Sequence, residues 1–146
     1  LDDVALAVSN GSRILVGGAN SLKVQYTDNG SGWSSAYTLP AIGSALRGGA
    51  AEANVWVIIA NSGIAVSIDN GATFTAVTLS EDFHPYDIQI GGGLIVAVGE
   101  LNSGAGTARI WTAPLSDPYT WTKRDNNFGF AAVKAVAFVY DMTDSP

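Results

Sequence analysis

The stretch Ser67-Ile68-Asp69-Asn70-Gly71-Ala72-Thr73-Phe74 decides the fold class, because its pattern recurs along the chain. An earlier copy runs Tyr26-Thr27-Asp28-Asn29-Gly30-Ser31-Gly32-Trp33, and its aspartate and closing aromatic residue precede their counterparts by 41 positions. A degenerate third copy at 113–121 keeps Asp117 and closes with Trp121, 47 positions after Phe74. Repeats of roughly 40–50 residues are typical of four-stranded propeller blades.

Each repeat also contains short apolar segments that are separated by turn signals such as Asn-Gly and Asp-Asn-Gly. These segments predict strands at 4–8, 13–16, 22–26 and 33–38, then at 45–51, 55–60, 64–68 and 74–79. The third repeat predicts strands at 86–90, 94–99, 109–112 and 121–124, and a fourth repeat begins with a strand at 131–136. We therefore expect one all-β propeller segment with antiparallel blades at 1–40, 41–80 and 81–125, a partial blade at 126–146 and an incomplete ring.

Composition excludes several classes of function. The 146 residues carry 13 acidic and 7 basic side chains, for a net charge of −6, so no basic stripe is available for nucleic acid. The chain has no cysteine and one histidine, so neither a thiolate metal site nor a zinc site is expected. No apolar run approaches the ~18 residues of a membrane span. We predict no metal, no cofactor, no nucleic-acid partner and no membrane span.

The repeated pattern resembles the Asp-box (BNR) repeats of sialidase-like β-propellers, whose pattern is Ser-x-Asp-x-Gly-x-Thr followed by Trp or Phe. In such a box the aspartate accepts backbone hydrogen bonds of its own turn, glycine supplies a positive φ, and the aromatic ring fills the gap between blades. The resemblance implies structural roles for Ser67, Asp69, Gly71, Thr73 and Phe74 in the second copy, for Asp28, Gly30 and Trp33 in the first, and for Asp117 and Trp121 in the third.

Loops at the opposite end of the blades are the candidate ligand face, again by resemblance to other propellers. The loop residues that could contact a sugar or a protein partner are Glu81, Asp82, Phe83, His84, Glu100 and Asn102. Glu81 with Asp82, or Glu100, could supply a glycosidase carboxylate pair. A sialidase-type site also requires three converging arginines, and the chain has only Arg13, Arg47, Arg109 and Arg124, with Arg13 at the wrong end. No catalytic residue is predicted.

The leading hypothesis is a non-catalytic β-propeller module that gives scaffolding, or receptor or glycan contact, in an extracellular or virion assembly such as a phage tail or an adhesion protein. Three blades leave an open ring with apolar flanks, so the expected partners are further blades of the same protein, other copies of the chain, or a glycan or protein receptor. One alternative is a fragment of a sialidase-like glycoside hydrolase whose catalytic residues lie outside this chain. Another is a protein-binding assembly-factor propeller.

Overall fold

The computed structural model describes residues 4–101, 107–124, 129 and 131–139. These residues form three four-stranded antiparallel sheets and no helix, which confirms the predicted all-β propeller architecture. The first sheet contains β1 (Val4–Ser9), β2 (Ile14–Gly18), β3 (Lys23–Thr27) and β4 (Tyr37–Thr38). The second contains β5 (Leu46–Glu52), β6 (Val55–Ala60), β7 (Gly63–Ser67) and β8 (Thr75–Ala76). The third contains β9 (Phe83–Gly91), β10 (Leu94–Leu101), β11 (Ala108–Pro114) and β12 (Thr122–Lys123).

Each sheet is a simple meander, because its strands follow one another in chain order. The first strands of successive sheets are adjacent, with β5 lying between β1 and β9. The sheets therefore converge at their first strands, as blades converge on the axis of a propeller. No helix that could cross a membrane is found in the described part of the chain.

The core consists of two apolar layers, one between each pair of neighbouring sheets. Strand β6 supplies both layers because alternate side chains of a strand point to opposite faces. Trp56 and Ile58 pack toward the first sheet, whereas Val57 and Ile59 pack toward the third, and all four are fully buried. A strand covered on both faces explains why this segment is apolar at every position.

The outermost strands are shorter than the sequence predicts. The expected strands at 33–38, 74–79 and 121–124 shrink to the two-residue strands β4, β8 and β12. An outer strand pairs on one side only, so apolar and β-branched residues there are not enough to extend the ladder. In contrast, β9 begins at Phe83, three residues before the predicted start, and takes in part of a predicted loop.

The strand predicted at 131–136 is wrong, since residues 131–139 form no ladder. Two hydrogen bonds instead attach this segment to the third sheet. The N–H of Val133 donates to the carbonyl of Gly99 at 3.2 Å, and the N–H of Val136 donates to Oδ2 of Asp87 at 2.9 Å. The segment is consequently attached to β9 and β10 without becoming a regular strand.

Each first strand carries a β-bulge near its beginning. The extra residue is Ala5 in β1, because Val4 and Leu6 pair with the consecutive residues Gly18 and Gly17. The same irregularity leaves Arg47 unpaired in β5 and Tyr86 unpaired in β9. A bulge re-aims the side chain of the extra residue, so these positions are set apart from the regular alternation of the strand.

Candidate functional site

The turn that follows β7 is held by the side chains of the second sequence repeat. Ser67 Oγ donates to Asp69 Oδ1 at 2.7 Å and accepts the N–H of Gly71 at 2.9 Å. The N–H and the hydroxyl of Thr73 then donate to the two carboxylate oxygens of Asp69, at 2.9 and 2.5 Å. Burial opposes ionisation of this carboxyl, but the bonds from Thr73 and Ser67 outweigh it and lower the pKa of Asp69 to about 2.

The turn after β3 uses the same hydrogen bonds with a shifted set of residues. Thr27 Oγ1 accepts the N–H of Gly30 at 2.9 Å, and Asn29 Oδ1 accepts the N–H of Ser31 at 2.9 Å. The prediction that the Asp28 carboxylate serves its own turn is therefore wrong, because the neighbouring amide takes that place. The turn is one residue shorter than in the second copy, because Gly30 follows Thr27 by three positions whereas Gly71 follows Ser67 by four.

Asp28 instead forms a bidentate ion pair with Arg13. The guanidinium donates from Nε to Oδ1 at 2.6 Å and from Nη2 to Oδ2 at 3.0 Å. The hydrogen bond from Arg13 lowers the pKa of Asp28. Arg13 Nη1 also donates to the carbonyl of Asn70 at 2.7 Å, which ties the first sheet to the turn of the second. Arg13 is thus occupied in joining two blades.

The three closing aromatic residues have different environments. Phe74 packs against the layer between the first and second sheets, and Trp121 packs against the layer between the second and third. Trp33 is 49% exposed, so the prediction that it fills a gap between blades is wrong for this residue. Trp33 lies in the segment between β3 and β4, and among the described residues no sheet precedes the first one in the chain.

The third copy of the repeat closes its turn with backbone bonds. The N–H of Asp117 donates to the carbonyl of Pro114 at 3.1 Å, and the N–H of Thr120 donates to the carbonyl of Asp117 at 3.2 Å. The indole of Trp121 donates to the carbonyl of Pro118 at 2.8 Å. The Asp117 side chain makes no hydrogen bond within the described residues.

The predicted ligand-face loop at 80–85 lies beside an open groove of about 330 Å³. Glu81 and Asp82 line this groove. The prediction that Phe83 and His84 lie in the loop is wrong, because both residues belong to β9. Phe83 is only 3% exposed because it packs into the core. Asn102 lies outside the described residues.

Glu81 forms ion pairs with two cations of the third sheet, Arg109 and Lys123. Its Oε1 accepts from Arg109 Nε at 2.8 Å and lies 3.3 Å from Lys123 Nζ. Burial opposes ionisation, but the bonds from Arg109 and Lys123 outweigh it and lower the pKa of Glu81. This carboxylate therefore anchors the loop to β11 and β12 and stays ionised.

A second group of side chains surrounds Tyr86. The rings of His84 and Tyr86 stack with centroids 5.4 Å apart, and the Tyr86 hydroxyl donates to Glu100 Oε1 at 2.5 Å. Arg47 Cζ lies 4.7 Å from the centroid of the Tyr86 ring, and Lys134 Nζ lies 3.2 Å from it. The structure thus brings together His84 and Glu100, two of the predicted residues, which are also paired across β9 and β10.

Tyr86 and Lys134 were not predicted from the sequence, and Arg47 was not predicted as a partner of Tyr86. Arg47 and Tyr86 occupy the bulge positions of β5 and β9, and bulges follow from strand register, which a single sequence does not show. The only available signal was the position of both residues near the start of the first strand of a repeat. Lys134 is exposed and reaches Tyr86 from the segment 131–139.

No group of three or more histidine, cysteine or acidic residues that could hold a metal ion occurs in the described residues. The carboxylates of Asp28, Asp69, Glu81 and Glu100 each accept hydrogen bonds from neighbouring side chains.

Comparison with known proteins supports the fold. No protein-family model matches the chain, and no curated protein matches it. Among solved structures, an ancestral GH74 enzyme superposes with a TM-score of 0.64 at 14% identity, covering 84% of this chain and 20% of that enzyme. A structure described as YCF48 bound to D1 peptide superposes with a TM-score of 0.55 at 17% identity, covering 86% of this chain and 40% of that one. Both neighbours are β-propellers, so this chain is a propeller module that spans less than half of either neighbour's length.

Proposed function

We propose that the chain is a non-catalytic β-propeller module that scaffolds a ring of blades. Its ligand face contacts a protein or glycan receptor in an extracellular or virion assembly. The proposal rests on one observation, which is that two of the three candidate carboxylates, Glu81 and Glu100, are already bonded to other side chains. The buried layers between the sheets supply the scaffold, because blades that share a continuous core hold one another in register.

Glu81 lines the groove, and its environment opposes a role as the general acid of a glycosidase. A general acid for glycoside hydrolysis needs a raised pKa so that it carries a proton near neutral pH. Arg109 and Lys123 hold Glu81 in the ionised state, and its pKa is lowered. Glu100 accepts a hydrogen bond from the hydroxyl of Tyr86, so this carboxylate is also bonded to another side chain.

A hydrolysis assay tests the proposal. The wild-type chain is incubated with aryl glycosides, a sialyl conjugate and xyloglucan, beside Glu81→Gln and Glu100→Gln. We expect release at the uncatalysed rate for all three proteins. Hydrolysis by the wild type that either substitution abolishes would overturn the non-catalytic assignment.

A fragment of a glycoside hydrolase is the second candidate, and the similarity to an ancestral GH74 enzyme favours it. In this case the carboxylates and arginines would lie in blades outside the chain. Activity of a longer protein that contains this segment, together with an inactive segment alone, would support this candidate.

A protein-binding assembly factor is the third candidate. The structure in which YCF48 is bound to a peptide favours it. Binding to a purified protein partner with no signal on a glycan array would separate this candidate from a glycan receptor.

A further inference from the structure

We propose that Arg47, Tyr86 and Lys134 form a binding site for a carboxylate of an acidic peptide. The inference rests on the proposed receptor-contact function and names the chemistry of the partner. These three residues come from three successive units of the fold, namely β5, β9 and the segment 131–139. They meet where the first strands converge.

The bulges place two of these side chains. Arg47 and Tyr86 are the extra residues at equivalent positions of β5 and β9. Bulges are over-represented next to functional sites, where they re-aim a side chain without breaking the sheet. The equivalent bulge residue of β1 is Ala5, so the first sheet contributes no functional side chain at this level.

The two cations are held by the aromatic ring and not by acids. Arg47 and Lys134 both lie within cation–π distance of Tyr86, at 4.7 and 3.2 Å. Within the described residues, no carboxylate lies within salt-bridge distance of either cation. By contrast, Arg13, Arg109 and Lys123 are all paired with acids.

Within the described residues, the guanidinium of Arg47 uses one of its donors. In the described part of the chain its one hydrogen bond runs from Nη1 to the carbonyl of Pro85 at 3.2 Å. A guanidinium has five N–H donors in a planar fork, and this fork matches the two oxygens of a carboxylate. Stacking on a ring leaves the edge donors available. Lys134 adds a second positive charge, and Glu100 lies at the hydroxyl of Tyr86.

The occupied ring favours a peptide over an acidic sugar. Sugar recognition by an aromatic residue requires an open ring face on which the sugar stacks. The Tyr86 ring is in contact with Arg47, Lys134 and the stacked imidazole of His84. An acidic side chain on a flexible peptide needs only the charged edge of this group.

Isothermal titration calorimetry on the full chain tests the site. The probe is the acetylated and amidated peptide Gly-Ser-Glu-Glu-Ser-Gly, and its control is the same peptide with glutamine in place of glutamate. We expect saturable binding of the acidic peptide that weakens at high salt, and no binding of the control. Arg47→Gln and Lys134→Gln should each weaken binding roughly tenfold or more, since each removes a charge-assisted bond.

Lys23→Gln is the matched control. Lys23 is an exposed cation on β3, which is the third strand of the first sheet, whereas Arg47 and Tyr86 lie on the first strands of the other two sheets. Arg47→Lys keeps the charge without the planar fork and is used if Arg47→Gln fails to fold. Binding that all variants share, or no binding of the acidic peptide, would overturn the proposal. Binding of a hyaluronan tetrasaccharide but not of the peptide would also overturn it. Failure of the proposed function would appear separately, as hydrolysis by the wild type.

Discussion

Asp69 accepts two hydrogen bonds from Thr73, one from the backbone N–H at 2.9 Å and one from the hydroxyl at 2.5 Å. Together with the bond from Ser67, these contacts close the turn after β7 around a single carboxylate. The turn is next to Phe74, which packs between the first two sheets. The carboxylate therefore fixes the position of a ring that the blade interface needs.

Asp69→Asn should destabilise the chain and flatten its acid sensitivity. The pKa of this carboxyl is lowered from 3.8 to about 2 in the folded state. Its contribution to stability is thus present above about pH 4 and is lost as the pH falls toward 2. At neutral pH we expect a loss of about 1 kcal/mol, limited because the group is largely exposed to solvent.

Urea unfolding at pH 7 and at pH 3 measures this effect. Asp117→Asn is the control, because the Asp117 side chain has no hydrogen-bond partner among the described residues. Equal losses in the two variants would contradict the role given to Asp69.

Phe74→Ala should cost more stability than Trp33→Ala, although tryptophan is the larger residue. Phe74 packs against the buried layer between the first and second sheets, whereas Trp33 is 49% exposed. We expect about 2 kcal/mol for the partly buried ring and less than about 0.5 kcal/mol for the exposed one. Thermal denaturation of both variants checks the order, and a larger loss for Trp33→Ala would refute the packing described above.

Gly49→Ala should destabilise the chain, and Gly48→Ala should not. A Cβ at Gly49 would lie 2.8 Å from both the carbonyl oxygen of Val57 and the side chain of Val8. At Gly48 the nearest atoms are 3.8 Å away, at ordinary contact distance. Overpacking between the first two sheets costs about 1–3 kcal/mol. Chemical denaturation of the two neighbouring variants compares them directly, and matching midpoints would show that the sheets are less closely packed.

Glu81→Gln should lower stability by about 2 kcal/mol, because it removes the carboxylate charge that pairs with the largely buried guanidinium of Arg109. The pKa of Glu81 is lowered from its ordinary value of 4.5 in the folded state. Its contribution to the free energy of unfolding is therefore present above about pH 4.5 and is lost as the pH falls below that value. Asp82→Asn alters the neighbouring exposed acid and should have little effect. Melting temperatures at pH 7 test this pair of variants, and a stable Glu81→Gln protein would argue against the anchor.

The repeat was sufficient to predict the architecture, whereas the details of the repeated turn were not predictable. A shared spacing of 41 positions between Asp28 and Asp69 suggested equal roles for the two acids. The structure gives the turn of the first copy to Asn29 and pairs Asp28 with Arg13. Local pattern does not show which of two adjacent polar side chains points into a turn, because that choice depends on the length of the turn and on a cation from another strand.

The candidate site was only partly visible for a related reason. The sequence predicted that Glu81, His84 and Glu100 lie in loops. His84 and Glu100 lie instead in β9 and β10, where His84 stacks on the Tyr86 ring and Glu100 accepts a hydrogen bond from its hydroxyl. The site that we propose depends on Arg47 and Lys134, which are 87 positions apart in the chain. Such a meeting arises only when β5, β9 and the segment 131–139 become neighbours.

The amino-acid sequence alone determined the all-β fold class and the number of complete sheets. It also determined which strands are buried on both faces. Apolar runs and turn residues specify these features because they act over short distances along the chain. The tertiary structure decided which aromatic rings are covered, which carboxylate closes a turn and which cations contact an aromatic ring instead of a described carboxylate. Those outcomes depend on contacts between sheets and on bulges in their pairing, and both arise only after the strands have chosen their neighbours.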